Sequence, residues 1–119
     1  MENEFEKIGI DNAEHYVWGE NCDGWHLVKQ EYLSVIKERV PPGCSEVKHF
    51  HKKARQFFYI LEGQAIIEFD SGEIILNKNE GMEISPGTSH KLHNKANIDL
   101  IFLVISQPQS HGDKFLIDK

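Results

Sequence analysis

Turn-forming residues interrupt this chain so often that little room remains for a long helix. Pro-Pro-Gly at 41–43, Asp-Ser-Gly at 70–72 and Pro-Gly at 86–87 each separate segments rich in β-branched and aromatic residues. The most apolar run, at 98–105, lies between turn signals and predicts a buried strand. We therefore expect nine or ten short strands, almost no helix, and an all-β sandwich or barrel.

Length and charge narrow the functional classes. A chain of 119 residues suits one domain with a single core. The net charge of −6 argues against nucleic-acid binding, because neutralising phosphates needs clustered Lys and Arg. No apolar run approaches the ~20 residues of a membrane span. The acidic N-terminus lacks the apolar segment of a signal peptide, and Cys22 and Cys44 are isolated. These features predict a soluble cytoplasmic protein with free thiols.

A His-x-His sequence offers candidate metal ligands. Strand side chains alternate, so His49 and His51 share one face of the predicted strand 46–51, with Glu46 on the opposite face. Gln56 can face the same point if residues 52–55 form a connection, and His90 supplies a third imidazole. Inside a small barrel these groups would form a metal site. The alternative is two surface histidines and a core glutamine.

The spacing of these residues resembles the two sequence motifs of the cupin superfamily. The first is glycine, five residues, His-x-His and a later glycine; the second ends in glycine, two residues, His, three residues and Asn. The matching residues here are Gly43, His49, His51 and Gly63 for the first motif, and Gly87, His90 and Asn94 for the second. Three positions depart from the pattern: Gln56 replaces the usual glutamate, Ser85 the proline and Asn79 the opening glycine.

The resemblance implies a cupin double-stranded β-helix, or jelly-roll, barrel. One domain, 1–119, would then comprise a barrel at about 33–106, an N-terminal extension at 1–32 and a tail at 107–119. It also implies that His49, His51 and His90 bind a divalent transition metal (Fe, Mn, Ni or Zn), with Gln56 as a weak fourth ligand. Stand-alone members commonly pair, so we expect a homodimer.

Gln56 has two chemical consequences. Its amide is neutral and cannot take a proton, so a bound ion keeps its full double charge and prefers an anionic ligand. The site should also hold metal less tightly, and loss of metal is the alternative. Phe58 shares the strand parity of Gln56, so we expect it to face the substrate pocket, within a wall of Phe, Ile and Leu with few polar groups.

Other polar residues allow weaker expectations. The basic cluster of Lys48, Lys52, Lys53 and Arg55 is either a solvated loop, which we favour, or an attraction for anions at the pocket mouth. We expect His26 and His93 at the surface. We also expect a solvated tail after residue 106, although His111 would join a site if the tail folded over the barrel.

Two functional classes follow. The first is a metal-dependent enzyme, dioxygenase-like or isomerase-like, acting on a small anionic or oxygen-chelating metabolite. The second is a non-catalytic barrel that binds or senses a sugar or another metabolite. Fold similarity does not separate these activities.

Overall fold

The computed structural model describes residues 5–110 and 112–117, and those residues form eleven strands and no helix. This is one or two strands more than the sequence predicts. Nothing in the described ranges is a helix long and apolar enough to cross a membrane. The strands are β1 (Glu14–Trp18), β2 (Cys22–Lys29), β3 (Ser34–Val40), β4 (His49–His51), β5 (Arg55–Glu62), β6 (Ala65–Phe69), β7 (Gly72–Leu76), β8 (Gly81–Ile84), β9 (Lys91–His93), β10 (Leu100–Gln107) and β11 (Lys114–Leu116).

The strands form one large sheet and two small ones. The large sheet has six strands in the order β1-β2-β3-β10-β5-β8. One small sheet has three strands in the order β7-β6-β9, and the other pairs β11 with β4. Every pairing is antiparallel. The core draws on both sides, since Ile67 and Leu92 from the three-stranded sheet cluster with Ile60, Leu100 and Phe102 from the large sheet.

Strand β10 is the centre of the large sheet. Its apolar run pairs with β3 along Leu100–Ser106 and with β5 along Ile101–Gln107. Alternate residues, including Phe102 and Val104, are buried on the inner face while their neighbours are half-buried. The long ladders fix which side chains point inward, because a one-residue slip would turn them all outward. The prediction of a buried strand is therefore confirmed.

Two turns show why asparagine and glycine occupy these positions between strands. Asn79 adopts φ 69°, in the left-handed region that asparagine tolerates better than most residues. Gly63 adopts φ 83°, and a Cβ there would lie 2.6 Å from the carbonyl oxygen of Asp99. A side chain at position 63 would force the adjoining backbone apart, so glycine is required on both conformational and steric grounds.

The C-terminal segment folds back onto the barrel. The predicted solvated tail is therefore wrong about the position of residues 112–117, which pair with the barrel, although strand β11 is exposed to solvent. Strand β11 pairs with β4, with Lys114 opposite His51 and Leu116 opposite His49. The Asp113 carboxylate accepts hydrogen bonds from the backbone N–H groups of Lys53 and Ala54, at 2.8 and 2.9 Å. An aspartate and a short strand thus anchor this segment to β4 and to the backbone of Lys53 and Ala54. His111 lies outside the described residues.

Candidate metal site

Three buried histidines meet at one end of the barrel. His49 and His51 lie on β4, and His90 immediately precedes β9. Their candidate ligand nitrogens all lie within 4.8 Å of one another. Reciprocal backbone hydrogen bonds between His49 and His90, at 3.0 and 2.9 Å, hold the two segments together. Local backbone pairing therefore brings together imidazoles that are far apart in sequence.

The hydrogen bonds of two rings leave one nitrogen of each available. His49 Nδ1 lies 2.9 Å from the Val47 carbonyl oxygen, and His90 Nδ1 lies 2.9 Å from that of Thr88. A carbonyl only accepts, so each Nδ1 carries the proton and each Nε2 keeps its lone pair. His90 Nε2 and His51 Nδ1 are buried without a hydrogen-bond partner in the described structure. Buried, unpartnered nitrogens of this kind fit a metal ion.

The histidines are also in the protonation state that metal binding needs. Burial lowers the pKa of His49 to about 3. Burial and the neighbouring His90 lower the pKa of His51 to about 4, and burial also lowers the pKa of His90. All three imidazoles are therefore neutral at neutral pH and compete for a cation without first losing a proton.

Gln56 lies on β5 of the large sheet and lines the same cavity as His49 and His51. Its Nε2 donates a 3.0 Å hydrogen bond to Ser106 Oγ on β10, directly opposite in register. That bond orients the amide so that Oε1 is left buried with no hydrogen-bond partner among the described residues. The carbonyl oxygen is thus free to accept a cation or a ligand donor.

A cavity of about 290 Å³ adjoins these groups. Phe58 lies on its wall as expected and is 4% exposed, with its ring centroid 6.1 Å from that of His90 and the two ring planes at 76°. The wall is more polar than the sequence predicts, because it includes two carboxyl groups and an ammonium group. The lining residues are Tyr16, Trp18, Ile36, Glu38, Glu46, His49, His51, Gln56, Phe58, Val104, Ser110, Gly112 and Lys114.

Glu38 and Tyr16 form a hydrogen-bonded pair in the cavity that sequence reasoning missed. Tyr16 Oη donates to Glu38 Oε2 at 2.9 Å. Burial raises the pKa of Glu38 to about 7, and burial beside Glu38 raises the pKa of Tyr16 well above its usual range. Gly24 makes room for the tyrosine, since a Cβ there would lie 2.2 Å from the ring. The signal for Glu38 was available, because it shares strand parity with buried Ile36.

Glu46 is also in the cavity wall, and its predicted position on the face opposite the histidines is wrong. Strand β4 begins only at His49, so strict alternation does not extend back to residue 46. Glu46 Oε1 accepts the backbone N–H of Leu92 at 3.1 Å and lies 4.0 Å from His49 Nδ1. Burial raises the pKa of its carboxyl to about 8.

His26 and His93 are not members of the histidine cluster. His93 Nε2 lies 3.0 Å from Glu68 Oε1, on the three-stranded sheet, and is not a member of the histidine group. The surface position predicted for His26 is wrong, because it is buried at 6% exposure with its ring 5.1 Å from that of Tyr16.

The basic cluster of Lys48, Lys52, Lys53 and Arg55 lies outside the cavity, in agreement with the favoured interpretation as a charged loop. Lys48 pairs with Asp70 and Arg55 with Glu83, both on exposed partners, while Lys52 lies over the Phe115 ring. None of the four basic residues lines the cavity. Lys114, in the C-terminal tail, is a cation that does line the cavity. No local sequence pattern predicts that the tail reaches the cavity.

Comparison with known proteins decides the family. The family model of the cupin domain matches residues 36–106, more than half of the chain. The chain is a cupin. The expected all-β, double-stranded β-helix fold is confirmed by solved cupin structures that superpose on nearly the whole chain.

Three similar proteins illustrate the range within the family. An uncharacterized protein of Methanocaldococcus jannaschii is 33% identical over 92 residues, which span 76% of this chain and 71% of that protein. The oxalate-binding protein of Thermotoga maritima is 28% identical over 85 residues, covering 67% of this cupin and 70% of the relative. A sugar phosphate isomerase structure from Silicibacter pomeroyi superposes with a TM-score of 0.81 at 18% identity, covering 96% of this chain and 83% of that one. At this identity the structural likeness concerns the fold alone.

Proposed function

We propose that this cupin is a metal-dependent enzyme acting on a small anionic or oxygen-chelating metabolite. His49, His51 and His90 are the ligands of a divalent transition metal, and Gln56 is a weak fourth. The observation that carries the proposal is the buried group of three neutral imidazoles, in which His51 Nδ1 and His90 Nε2 have no hydrogen-bond partner among the described residues. Such a donor set suits Fe, Mn, Ni or Zn and leaves coordination positions for a ligand.

The cavity contains a side chain that can transfer a proton, which the neutral amide of Gln56 cannot do. When bound, a divalent cation would polarise a chelating oxygen of the metabolite. Glu38, with its pKa near 7 and its position in the same cavity, can hold or release a proton at neutral pH. Tyr16 fixes the orientation of that carboxyl group. This combination supports isomerase-like chemistry over dioxygenase-like chemistry.

A non-catalytic binding barrel is the second candidate, and the similarity to the Thermotoga oxalate-binding protein favours it. The two candidates differ in turnover. An enzyme should convert sugar acids or related hydroxy acids, or consume O₂ with them, whereas a binding barrel should only gain thermal stability from oxalate or a similar anion.

The metal site is tested by elemental analysis after loading with Mn²⁺ or Fe²⁺ and removing free ion. The wild type should retain close to one equivalent per chain, and His49→Ala should retain almost none. His93→Ala is the matched control, since His93 is a half-buried histidine outside the cluster. Equal metal content in His49→Ala and His93→Ala would overturn the ligand assignment.

We also propose a cytoplasmic homodimer. The free Cys22 and Cys44 suit a reducing compartment. Strand β1 is an edge of the large sheet with Val17 63% exposed, so pairing through β1 would cover an open edge. Light scattering at micromolar concentration should give twice the chain mass; a monomer mass would rule the dimer out.

A further inference from the structure

Lys114 is the cation of the cavity wall. No other Lys or Arg lines the cavity within the described ranges. Its charge acts on the whole site: it contributes to the lowered pKa values of the histidines and opposes the raised pKa values of Glu38 and Glu46. A positive charge that reaches all of these groups lies close to any ligand of the proposed metal.

The tail holds Lys114 in a fixed place. In the β11–β4 ladder Lys114 is directly opposite His51, one of the proposed ligands. On one side of it the Asp113 carboxylate binds two backbone N–H groups, and on the other the Phe115 ring stacks on Phe50 at 5.2 Å. The strand is thus anchored at both neighbours of Lys114 while the lysine side chain is exposed to the cavity.

No carboxylate of the described residues forms an ion pair with Lys114. The two nearest candidates in the cavity have other partners: Glu38 accepts the Tyr16 hydroxyl, and Glu46 accepts the Leu92 N–H. In the 48–55 segment, in contrast, Lys48 pairs with Asp70, Arg55 pairs with Glu83 and Lys52 lies over the Phe115 ring, all outside the cavity. An ammonium group beside the proposed metal site, with no ion-pair partner among the residues that the structure describes, is suited to a ligand oxyanion.

We propose that Lys114 binds an oxyanion group of the ligand, a carboxylate or a phosphate, while another oxygen of the same molecule occupies the metal site. The substrate class is therefore a small acid with two oxygen-bearing ends. The cavity of about 290 Å³ holds the volume of about ten water molecules, which fits such a molecule. The inference rests on the proposed function, because it assumes ligand binding at the histidine cluster.

The test is calorimetric titration of malonate and, separately, inorganic phosphate into the full-length protein, with and without Mn²⁺. Lys114→Met keeps the length of the side chain and removes its charge, and should weaken binding by about tenfold to a hundredfold at unchanged Mn²⁺ content. Lys114→Arg should restore most of the affinity. Lys53→Met is the matched control, because Lys53 is exposed and outside the cavity lining, and its binding should stay within about twofold of wild type. The anion that loses more affinity in Lys114→Met identifies the oxyanion class.

The outcomes separate this inference from the metal assignment. If Lys114→Met retains Mn²⁺ and binds both anions as the wild type does, or if Lys53→Met weakens binding equally, the role of Lys114 is overturned while the metal site stands. If the wild type binds no Mn²⁺ but its anion binding still depends on Lys114, the oxyanion-binding role of Lys114 stands, whereas the metal site and the second contact of the ligand with it are overturned. If the wild type binds neither anion in either condition, the inference is overturned.

Discussion

The two walls of the cavity are built in different ways. One wall belongs to the large sheet, where β10 pairs with β3 over seven residues without a shift and with β5 over seven residues with one register shift, between Ile101 and Phe102. It presents Glu38, Gln56 and Phe58. The opposite wall depends on β4, a strand of three residues whose strand partner is β11 from the tail. It presents His49, His51 and Lys114. The comparison shows that a rigid sheet fixes the acid, the amide and the apolar groups, whereas short segments distant in sequence assemble the cationic and metal-binding groups.

The largest expected effect is on the large-sheet wall. Phe102 is 1% exposed and packs against Phe58 with ring centroids 5.7 Å apart. Phe102→Ala should lower the free energy of unfolding by about 3–5 kcal/mol, because it removes a buried ring and leaves a cavity. Urea denaturation measures the change. A decrease in the free energy of unfolding below about 1 kcal/mol would contradict the view that the large sheet forms the more rigid of the two cavity walls.

Glu38→Gln tests the large-sheet wall through the pH dependence of the free energy of unfolding. The pKa of Glu38 is raised from 4.5 to about 7, so folding favours its neutral form. That stabilising contribution is fully present below pH 4.5 and is lost as pH rises through 7. Glutamine cannot ionise and still accepts the Tyr16 hydroxyl, so in chelator-treated protein the variant should gain about 1–3 kcal/mol over wild type between pH 5 and pH 8. Denaturant midpoints at several pH values provide the measurement, and a stability difference independent of pH would contradict the raised pKa.

Gln56→Glu tests whether the large sheet contributes a metal ligand. The carboxylate adds a negative charge beside the ion, at the cost of burying a charge. It cannot donate to Ser106 Oγ as the Gln56 amide does, so the Ser106 hydroxyl would instead donate to the carboxylate. The net result should be about tenfold tighter metal binding, or about 1.4 kcal/mol, measured by competition with a chelator. Gln64→Glu is the control, because Gln64 bonds Asn77 at an exposed position and should leave the affinity unchanged. Equal affinities in both variants would remove Gln56 from the ligand set.

The smallest effect is expected on the tail-supported wall. Phe115 is 41% exposed and stacks on Phe50, so Phe115→Ala should cost only about 0.5–1 kcal/mol. Although global stability changes little, β11 should open more often, and hydrogen exchange of its amides should speed up relative to those of β10. Unchanged exchange in β11 would show that the aspartate bonds alone hold the tail.

The sequence predicts the large-sheet wall of the cavity better than the wall supported by the tail. The strands, the position of Phe58 and the grouping of Gln56 with the histidines follow from alternation and motif spacing, since these depend on regular pairing. Glu38 could have been found by the same parity. The position of Glu46 could not be predicted in this way, because residue 46 precedes the start of β4 at His49 and does not follow strand alternation. Lys114 could not either, because its place depends on Asp113 binding backbone groups some sixty residues earlier in the chain.

The missing side chain at Gly24 carries a consequence for how this protein can diverge. A Cβ there would overlap the Tyr16 ring, which holds Glu38. Positions 16 and 24 therefore cannot vary independently. Relatives with a larger residue at position 24 should have a small side chain in place of the tyrosine, and with it a differently held acid. A change of one hydrogen atom for a methyl group at position 24, on β2, would thus separate members with this proton-transfer pair from members without it.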